Sequence, residues 1–133
     1  MTPVFADTFF FLAIINPKDG AHRAAVEFSR LRSEPLLTTD WVLVELADGL
    51  ARTPNRHMFE QILQDLRDAM DDVVVPCSHA LFDRGVQLYN ARPDKDWSLT
   101  DCLSFAVMAQ HGVTEALTGD HHFEQAGYVA LLK

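Results

Sequence analysis

Four acidic residues stand where carboxylates could perform chemistry. Asp7 and Asp120 follow short apolar runs, Asp101 begins an apolar segment and Glu45 lies within one. Carboxylates within a few ångströms of one another repel, which raises their pKa values or requires a cation. Mg²⁺ and Mn²⁺ prefer oxygen ligands and keep some water molecules. The pattern therefore indicates a divalent-metal site, provided that the fold brings the four side chains together.

Glu45 is the acid that is hardest to explain as a solvated surface residue. It lies inside the apolar segment Val42–Ala47, and no Lys or Arg lies within four residues of it. A carboxylate on an apolar helix face is costly unless it is paired or bound to a metal. The other acids have simpler alternatives, because Asp7 could cap a helix, Asp101 could complement a helix dipole and Asp120 could be a turn residue.

The elements that must position these acids alternate along the chain. Apolar or β-branched runs predict short strands over residues 4–6, 36–39, 73–76, 115–118 and 128–132. Apolar periodicity predicts helices over 22–31, 41–51, 58–70, 80–89 and 101–110. This alternation is typical of an α/β fold, with about five short parallel strands covered on both faces and the 73–76 run as a central strand.

In such a sheet the functional crevice lies outside the carboxyl ends of the strands. Asp7 and Asp120 come directly after predicted strands, so both are predicted at that edge. Asp101 opens a helix, which places it at the same edge if the preceding loop leaves from there. The sequence therefore predicts that the acids converge.

The composition limits the classes of protein that this chain can be. It has 133 residues, of which 48% are hydrophobic and 23% charged, which predicts one globular domain over residues 1–133. The formal net charge of −8 argues against a simple basic nucleic-acid binder. No segment has the roughly 20 apolar residues of a membrane span, and we expect a cytoplasmic protein. Cys77 and Cys102 are predicted to be buried free thiols.

Four segments of the chain carry a family resemblance, namely Phe5–Thr8, Thr38–Glu45, Trp97–Ser104 and Ala116–Tyr128. Taken in order, they resemble the PIN-domain ribonucleases, and in particular the VapC-type toxins of toxin–antitoxin pairs. The last two segments are fairly specific, and together the four extend over essentially the whole chain.

The resemblance implies a three-layer α/β/α sandwich and a role for each acid. By this resemblance, the acidic quartet around Mg²⁺ or Mn²⁺ is formed by Asp7, Glu45, Asp101 and Asp120. Asp96 matches an additional acid found in many members, and we rank it below the quartet as a metal ligand.

The resemblance also implies supporting residues and partners. Thr8 and Thr118 match hydroxyl positions that support the acids, whereas Gly119 stands where many members carry Thr or Ser. The implied activity is endonucleolytic cleavage of RNA that leaves 5′-phosphate and 3′-hydroxyl ends. The implied partners are the RNA substrate, a second copy of the chain in a homodimer and a small cognate antitoxin that inhibits the toxin.

Two other classes of protein remain open at this point. One is a catalytically silent PIN-like scaffold that binds RNA or a protein partner without cutting. The other is a phosphoaspartyl hydrolase or receiver domain, which also places an Asp after the first strand. The hydrolase needs a second Asp where this chain has Phe9, and the receiver needs a late Lys after a strand, whereas Lys133 is the last residue.

Several polar and aromatic residues have both a functional and a structural interpretation. His121 and His122 could bind zinc, but no third ligand lies at helical spacing, so we expect surface residues. Trp41 and Trp97 could stack on bases, although burial or dimer packing is the more common role. The arginines that could guide RNA toward the acids, or be solvated surface charges, are Arg23, Arg30, Arg32, Arg52 and Arg56.

Overall fold

Strands and helices alternate in the computed structural model, which describes residues 1–133. The five strands are β1 (Val4–Ala6), β2 (Leu36–Thr39), β3 (Val73–Val75), β4 (Glu115–Leu117) and β5 (Val129–Ala130). The seven helices are α1 (Thr8–Ile15), α2 (His22–Leu31), α3 (Asp40–Leu50), α4 (Met58–Asp68), α5 (His79–Ala91), α6 (Leu99–His111) and α7 (His121–Gln125). The predicted α/β fold with five short strands is confirmed.

The sheet has the order β3–β2–β1–β4–β5, and all of its strand pairs are parallel. Every residue of β1 and β2 is buried, because helices cover both faces of the sheet. Since the strands are parallel, their carboxyl ends meet at one edge. Asp7 follows β1, Thr39 ends β2 and Thr118 follows β4 at this edge.

The predicted positions of two strands were partly wrong. The 73–76 run forms an edge strand, because β3 pairs only with β2, and Val73 is 47% exposed. A run of β-branched residues reports strand propensity and says nothing about strand order. The last strand is shorter than predicted, although the N–H groups of Leu131 and Leu132 still donate to carbonyls of Ala116 and Thr118.

One further local prediction was wrong. Cys77 is exposed because it follows the edge strand, whereas Cys102 is buried as predicted.

The core is one cluster of 26 buried hydrophobic residues between the sheet and the helices. Close packing of α5 on α6 requires Gly85, because a Cβ atom there would lie 2.5 Å from Cδ2 of Leu103. None of the helices combines the length and the apolar character that crossing a membrane needs.

Asp72 connects the beginnings of β2 and β3 at the amino edge of the sheet, opposite the acids. Its carboxylate accepts hydrogen bonds from Nη1 and Nη2 of Arg32, at 3.0 and 2.9 Å, and from the N–H of Leu36 at 2.9 Å. The Asp72 side chain is only 4% exposed. Removing one partner of such a pair leaves the other partner's charge and the N–H group without compensation.

We therefore expect Asp72→Ala to lower the free energy of unfolding by about 3 kcal/mol. Urea unfolding followed by circular dichroism measures the loss, and Asp71→Ala is the matched control because Asp71 is exposed. Equal stability of the two variants would contradict the structural role given to Asp72.

Candidate active site

The structure brings the four predicted acids to the carboxyl edge of the sheet. Asp7 follows β1, Glu45 lies in the second turn of α3, Asp101 lies in the first turn of α6 and Asp120 precedes α7. The negative charges of Asp101 and Glu45 both raise the pKa of Asp7, and the charge of Asp120 raises the pKa of Asp101. Each acid therefore lies close enough to another to influence its ionisation.

Two threonine hydroxyls hold three of these acids in place. The Thr118 hydroxyl donates to Oδ2 of Asp7 at 2.9 Å and accepts from the N–H of Asp120 at 3.1 Å, so it connects the acids that follow β1 and β4. The Thr8 hydroxyl donates to Oε1 of Glu45, which connects the beginning of α1 to α3. These are the two threonines that the sequence indicated.

Asp101 is oriented by a reciprocal pair of hydrogen bonds at the beginning of α6. The Ser98 hydroxyl accepts from the N–H of Asp101 at 3.0 Å, and Oδ2 of Asp101 accepts from the N–H of Ser98 at 3.2 Å. This capping box fixes the side chain on the helix that carries it.

His122 is part of the site, although the sequence predicted a surface residue at this position. Its Nδ1 atom lies 3.0 Å from Oδ2 of Asp101 and 3.4 Å from Oδ1 of Asp120, and its side chain is 19% exposed. The backbone N–H of His122 donates to the same Oδ1 of Asp120 at 2.9 Å. The available signal was its position two residues after Asp120, where a capping turn brings the backbone back to the acid.

The zinc interpretation underestimated the local ligand set. The potential ligand atoms of Asp120, His121 and His122 all lie within 4.8 Å of one another, so Asp120 is a candidate third ligand that helical spacing alone did not reveal. Only His121 is the exposed surface residue that was expected, and its ring lies 4.5 Å from that of His122.

Asp7 is the most strongly perturbed acid of the site. Burial raises its pKa to about 7, which the nearby Asp101 and Glu45 reinforce, while the hydrogen bond from Thr118 acts in the opposite direction. Its side chain does not cap α1, which removes the simplest structural explanation for it.

The pKa of Asp101 is shifted in the same direction as that of Asp7. The four acids also lack ion pairs with Lys or Arg. Burial raises the pKa of Asp101, and hydrogen bonds from Ser98 and His122 lower it. No Lys or Arg forms an ion pair with any of the four acids. A set of oxygen ligands with one imidazole and no internal cation suits a divalent metal ion.

Comparison with known proteins identifies the family. The model of the PIN domain family matches residues 4–128. The chain belongs to the PIN-domain family. This membership replaces the hydrolase and receiver interpretations.

Relatives with similar sequences carry the name of one PIN-domain protein. The 23S rRNA-specific endonuclease VapC20 of Mycobacterium tuberculosis is 27% identical over 129 residues, which are 95% of this chain and 95% of that protein. The same values hold for the protein from strain H37Rv.

Solved PIN-like structures confirm the fold. The crystal structure of M. tuberculosis VapC20, described as a Sarcin-Ricin loop cleaving toxin, has a TM-score of 0.85 and 25% identity and covers 95% of this chain and 96% of that one. FitAcB from Neisseria gonorrhoeae has a TM-score of 0.66 at 18% identity, covering 96% and 94%. FitAB bound to an IR36 DNA fragment has a TM-score of 0.69 at 18% identity, covering 96% and 92%, so these two show the fold alone.

Gly119, which departs from the PIN pattern, is explained by a neighbouring ring. A Cβ atom at Gly119 would lie 2.6 Å from Cζ of Phe9 and 3.0 Å from its Cε2. The Phe9 ring therefore occupies the space that a Thr or Ser side chain would need.

Not every predicted residue lies with the four acids. Asp96 is exposed and lines a separate cleft with Lys95 and Trp97, and no hydrogen bond connects it to the quartet. Trp97 is buried, as its structural interpretation predicted.

The arginines that were considered as guides for RNA make no ion pair at the site. Arg32 is bound to Asp72 at the opposite edge of the sheet, and Arg56 donates to the carbonyl of Ala51. The solvated interpretation fits the remaining three, which are exposed, namely Arg23, Arg30 and Arg52.

Proposed function

We propose that this PIN-domain protein is a metal-dependent endoribonuclease and the toxin of a VapBC-type toxin–antitoxin pair. The observation that carries the proposal is the buried Asp7 carboxylate, which lies among three further acids with no Lys or Arg to compensate them. A site of this kind favours an external cation, which would allow all four acids to be ionised together. The names of the VapC20 relatives, an endonuclease and a toxin, agree with this chemistry.

The metal would be Mg²⁺ or Mn²⁺, held by the carboxylates of Asp7, Glu45, Asp101 and Asp120. Asp96 is an auxiliary ligand of lower rank, because it is exposed and lies in a neighbouring cleft. When bound, the ion would make an attacking water more acidic and neutralise charge on the phosphate.

The protein's own contribution is to keep the acids in one arrangement. The Thr118 hydroxyl donates to Oδ2 of Asp7 and so orients that carboxylate. Thr8 orients Glu45, and Ser98 orients Asp101. Because these partners lie within or directly beside the fold's own strands and helices, the site is preorganised rather than assembled on binding.

The proposed activity is tested by incubating the protein with a mixed RNA pool. We expect cleavage with Mg²⁺ or Mn²⁺, none with an excess of chelator, and none for Asp120→Ala, while the exposed-site control Asp71→Ala cleaves like the unmodified protein. RNA binding without cleavage under all conditions would instead support the catalytically silent scaffold.

Two partners beyond RNA belong to the proposal. A second copy of the chain would cover the apolar residues around the cleft of about 320 Å³ between α3 and α5, where Trp41 and Phe82 lie and Val44 is exposed nearby. A small cognate antitoxin would block the acidic site. Light scattering of the purified chain reports the dimer, and co-purification with the product of an adjacent small reading frame reports the antitoxin.

The remaining expectations concern the chain as a whole. We propose that residues 1–133 form a single PIN domain, which agrees with the single hydrophobic cluster. The cytoplasmic location stays a prediction, and fractionation of the cells that produce the protein tests it.

A further inference from the structure

A groove of about 560 Å³ lies between α5, α6 and α7, beside the acidic site. Aromatic side chains line its inner part, and arginine and glutamine side chains are its polar groups. The residues that matter for its chemistry are Trp97, Phe105, Tyr128, Arg84, Arg92 and Gln125.

The charge of this groove is opposite to that of the protein as a whole. Two arginines and no carboxylate line it, in a chain with nineteen acidic and eleven basic residues. Arg84 forms no ion pair, and Arg92 binds the carboxylate of Asp94 through Nε and Nη2 only, which leaves Nη1 free. An aromatic groove with cationic groups complements a ligand that has both a ring and a phosphate.

The groove also offers a stacking surface and a hydrogen-bond donor. The guanidinium carbon of Arg92 lies 5.3 Å from the centre of the Trp97 ring, so the arginine covers the tryptophan. The Trp97 indole N–H donates to Oε1 of Gln125 at 3.0 Å, which fixes the amide and leaves its NH₂ group available. Unpaired bases of RNA are recognised by stacking on arginine or aromatic planes and by hydrogen bonds to their edges.

The groove begins next to the acids. Gln125 follows His122 by three residues in α7, which places the two side chains one turn apart. Trp97 immediately precedes Ser98, whose hydroxyl accepts from the N–H of Asp101. A nucleotide in the groove would therefore neighbour a phosphate at the acidic site.

We propose that this groove binds one unpaired nucleotide of the RNA, adjacent to the phosphodiester that is cleaved. The base stacks on the Arg92 guanidinium and accepts a hydrogen bond from the Gln125 amide, and Arg84 pairs with a phosphate. This inference rests on the proposed ribonuclease function and adds that the substrate is single-stranded at this position.

Binding of a fluorescent single-stranded oligoribonucleotide, followed by anisotropy, tests the groove. All proteins carry Asp7→Asn so that the RNA stays intact, and circular dichroism verifies that each is folded. We expect Arg84→Gln and Arg92→Gln each to weaken binding about 5- to 10-fold. Arg67→Gln, the same charge change at an exposed position near the amino edge of the sheet, should alter the dissociation constant less than about 2-fold.

An abasic scan identifies the nucleotide. Oligonucleotides that lack one base at successive positions around the mapped cleavage site should show a single position at which affinity falls as much as in Arg92→Gln. That loss should disappear when the protein already carries Arg92→Gln, because the two changes remove the same contact.

Each contrary result has its own meaning. Equal losses for Arg67→Gln and the groove variants, or an abasic scan without a sensitive position, would overturn the groove as a nucleotide site while leaving the ribonuclease function intact. Groove variants that lose a small protein partner but keep their RNA affinity would assign the groove to that partner and overturn the inference. Failure of the unmodified protein to bind or cleave any RNA would overturn the proposed function itself.

Discussion

Asp7→Asn should lower kcat/KM for RNA cleavage by at least about a thousandfold, which corresponds to about 4 kcal/mol of transition-state stabilisation. Asn has nearly the same shape as Asp, and it can still accept a hydrogen bond from Thr118. Asn carries no charge, however, so the substitution removes the buried carboxylate that the other acids of the site surround. We therefore expect loss of chemistry without loss of structure.

The same substitution separates a catalytic role from a structural one. Because burial disfavours the charged form of Asp7, the metal-free Asp7→Asn protein should unfold at an equal or higher urea concentration than the unmodified protein at neutral pH. Asp71→Asn, at an exposed position, should change neither property. Full activity of Asp7→Asn would contradict the metal-site interpretation. An unfolded Asp7→Asn protein would contradict the expectation that the substitution leaves the structure intact.

The metal-free protein should lose stability as the pH rises from about 4 to about 7. The pKa of Asp7 is 3.8 in a reference peptide and about 7 in the folded protein, so the folded state holds a proton that the unfolded state has released. The stability that this proton contributes is fully present below the pKa of the unfolded state. It is lost as the pH rises through the pKa of the folded state. The difference corresponds to about 4 kcal/mol at most, and the raised pKa of Asp101 acts in the same direction.

Urea unfolding in the presence of chelator, across this pH range, measures the effect. In Asp7→Asn the pH slope should be much smaller, because the group responsible is gone. Addition of Mn²⁺ at the upper end of the range should restore stability, since a ligand that binds only the folded state stabilises it. A pH slope that Asp7→Asn leaves unchanged would show that another group is responsible.

The sequence predicted the fold class well because the relevant signals are local. Apolar runs such as Val4–Ala6 and the amphipathic 58–70 segment report strand and helix without knowledge of their neighbours. Strand order is a property of the whole chain, which explains why Val73–Val75 was expected in the centre and lies at an edge. Exposure of Cys77 follows from the same error, because it comes after that edge strand.

Convergence of the acids could be predicted, whereas some of their partners could not. Parallel strands end at one edge, so residues that follow strands meet there, as Asp7 and Asp120 do. The position of His122 depends on the first turn of a five-residue helix, which has no apolar periodicity to reveal it. The pairing of Arg32 with Asp72 joins residues forty positions apart and leaves no pattern in the sequence.

The net charge of −8 takes on a different meaning once the site is described. Some of the acids that make the chain unlike a basic nucleic-acid binder are those proposed to hold the metal. Affinity for RNA would then come from the metal and from local cations such as Arg84, rather than from a basic surface.

The most direct test of the central claim is the chemical identity of the RNA ends that the purified protein produces with Mn²⁺. Attack by an activated water with departure of the 3′ oxygen gives 5′-phosphate and 3′-hydroxyl ends. We expect mass spectrometry to find these ends in the unmodified protein's digest and none in the digests with chelator or with Asp7→Asn. Fragments with 2′,3′-cyclic phosphate ends, or equal cleavage in the presence of chelator, would contradict a carboxylate-held metal as the catalytic centre.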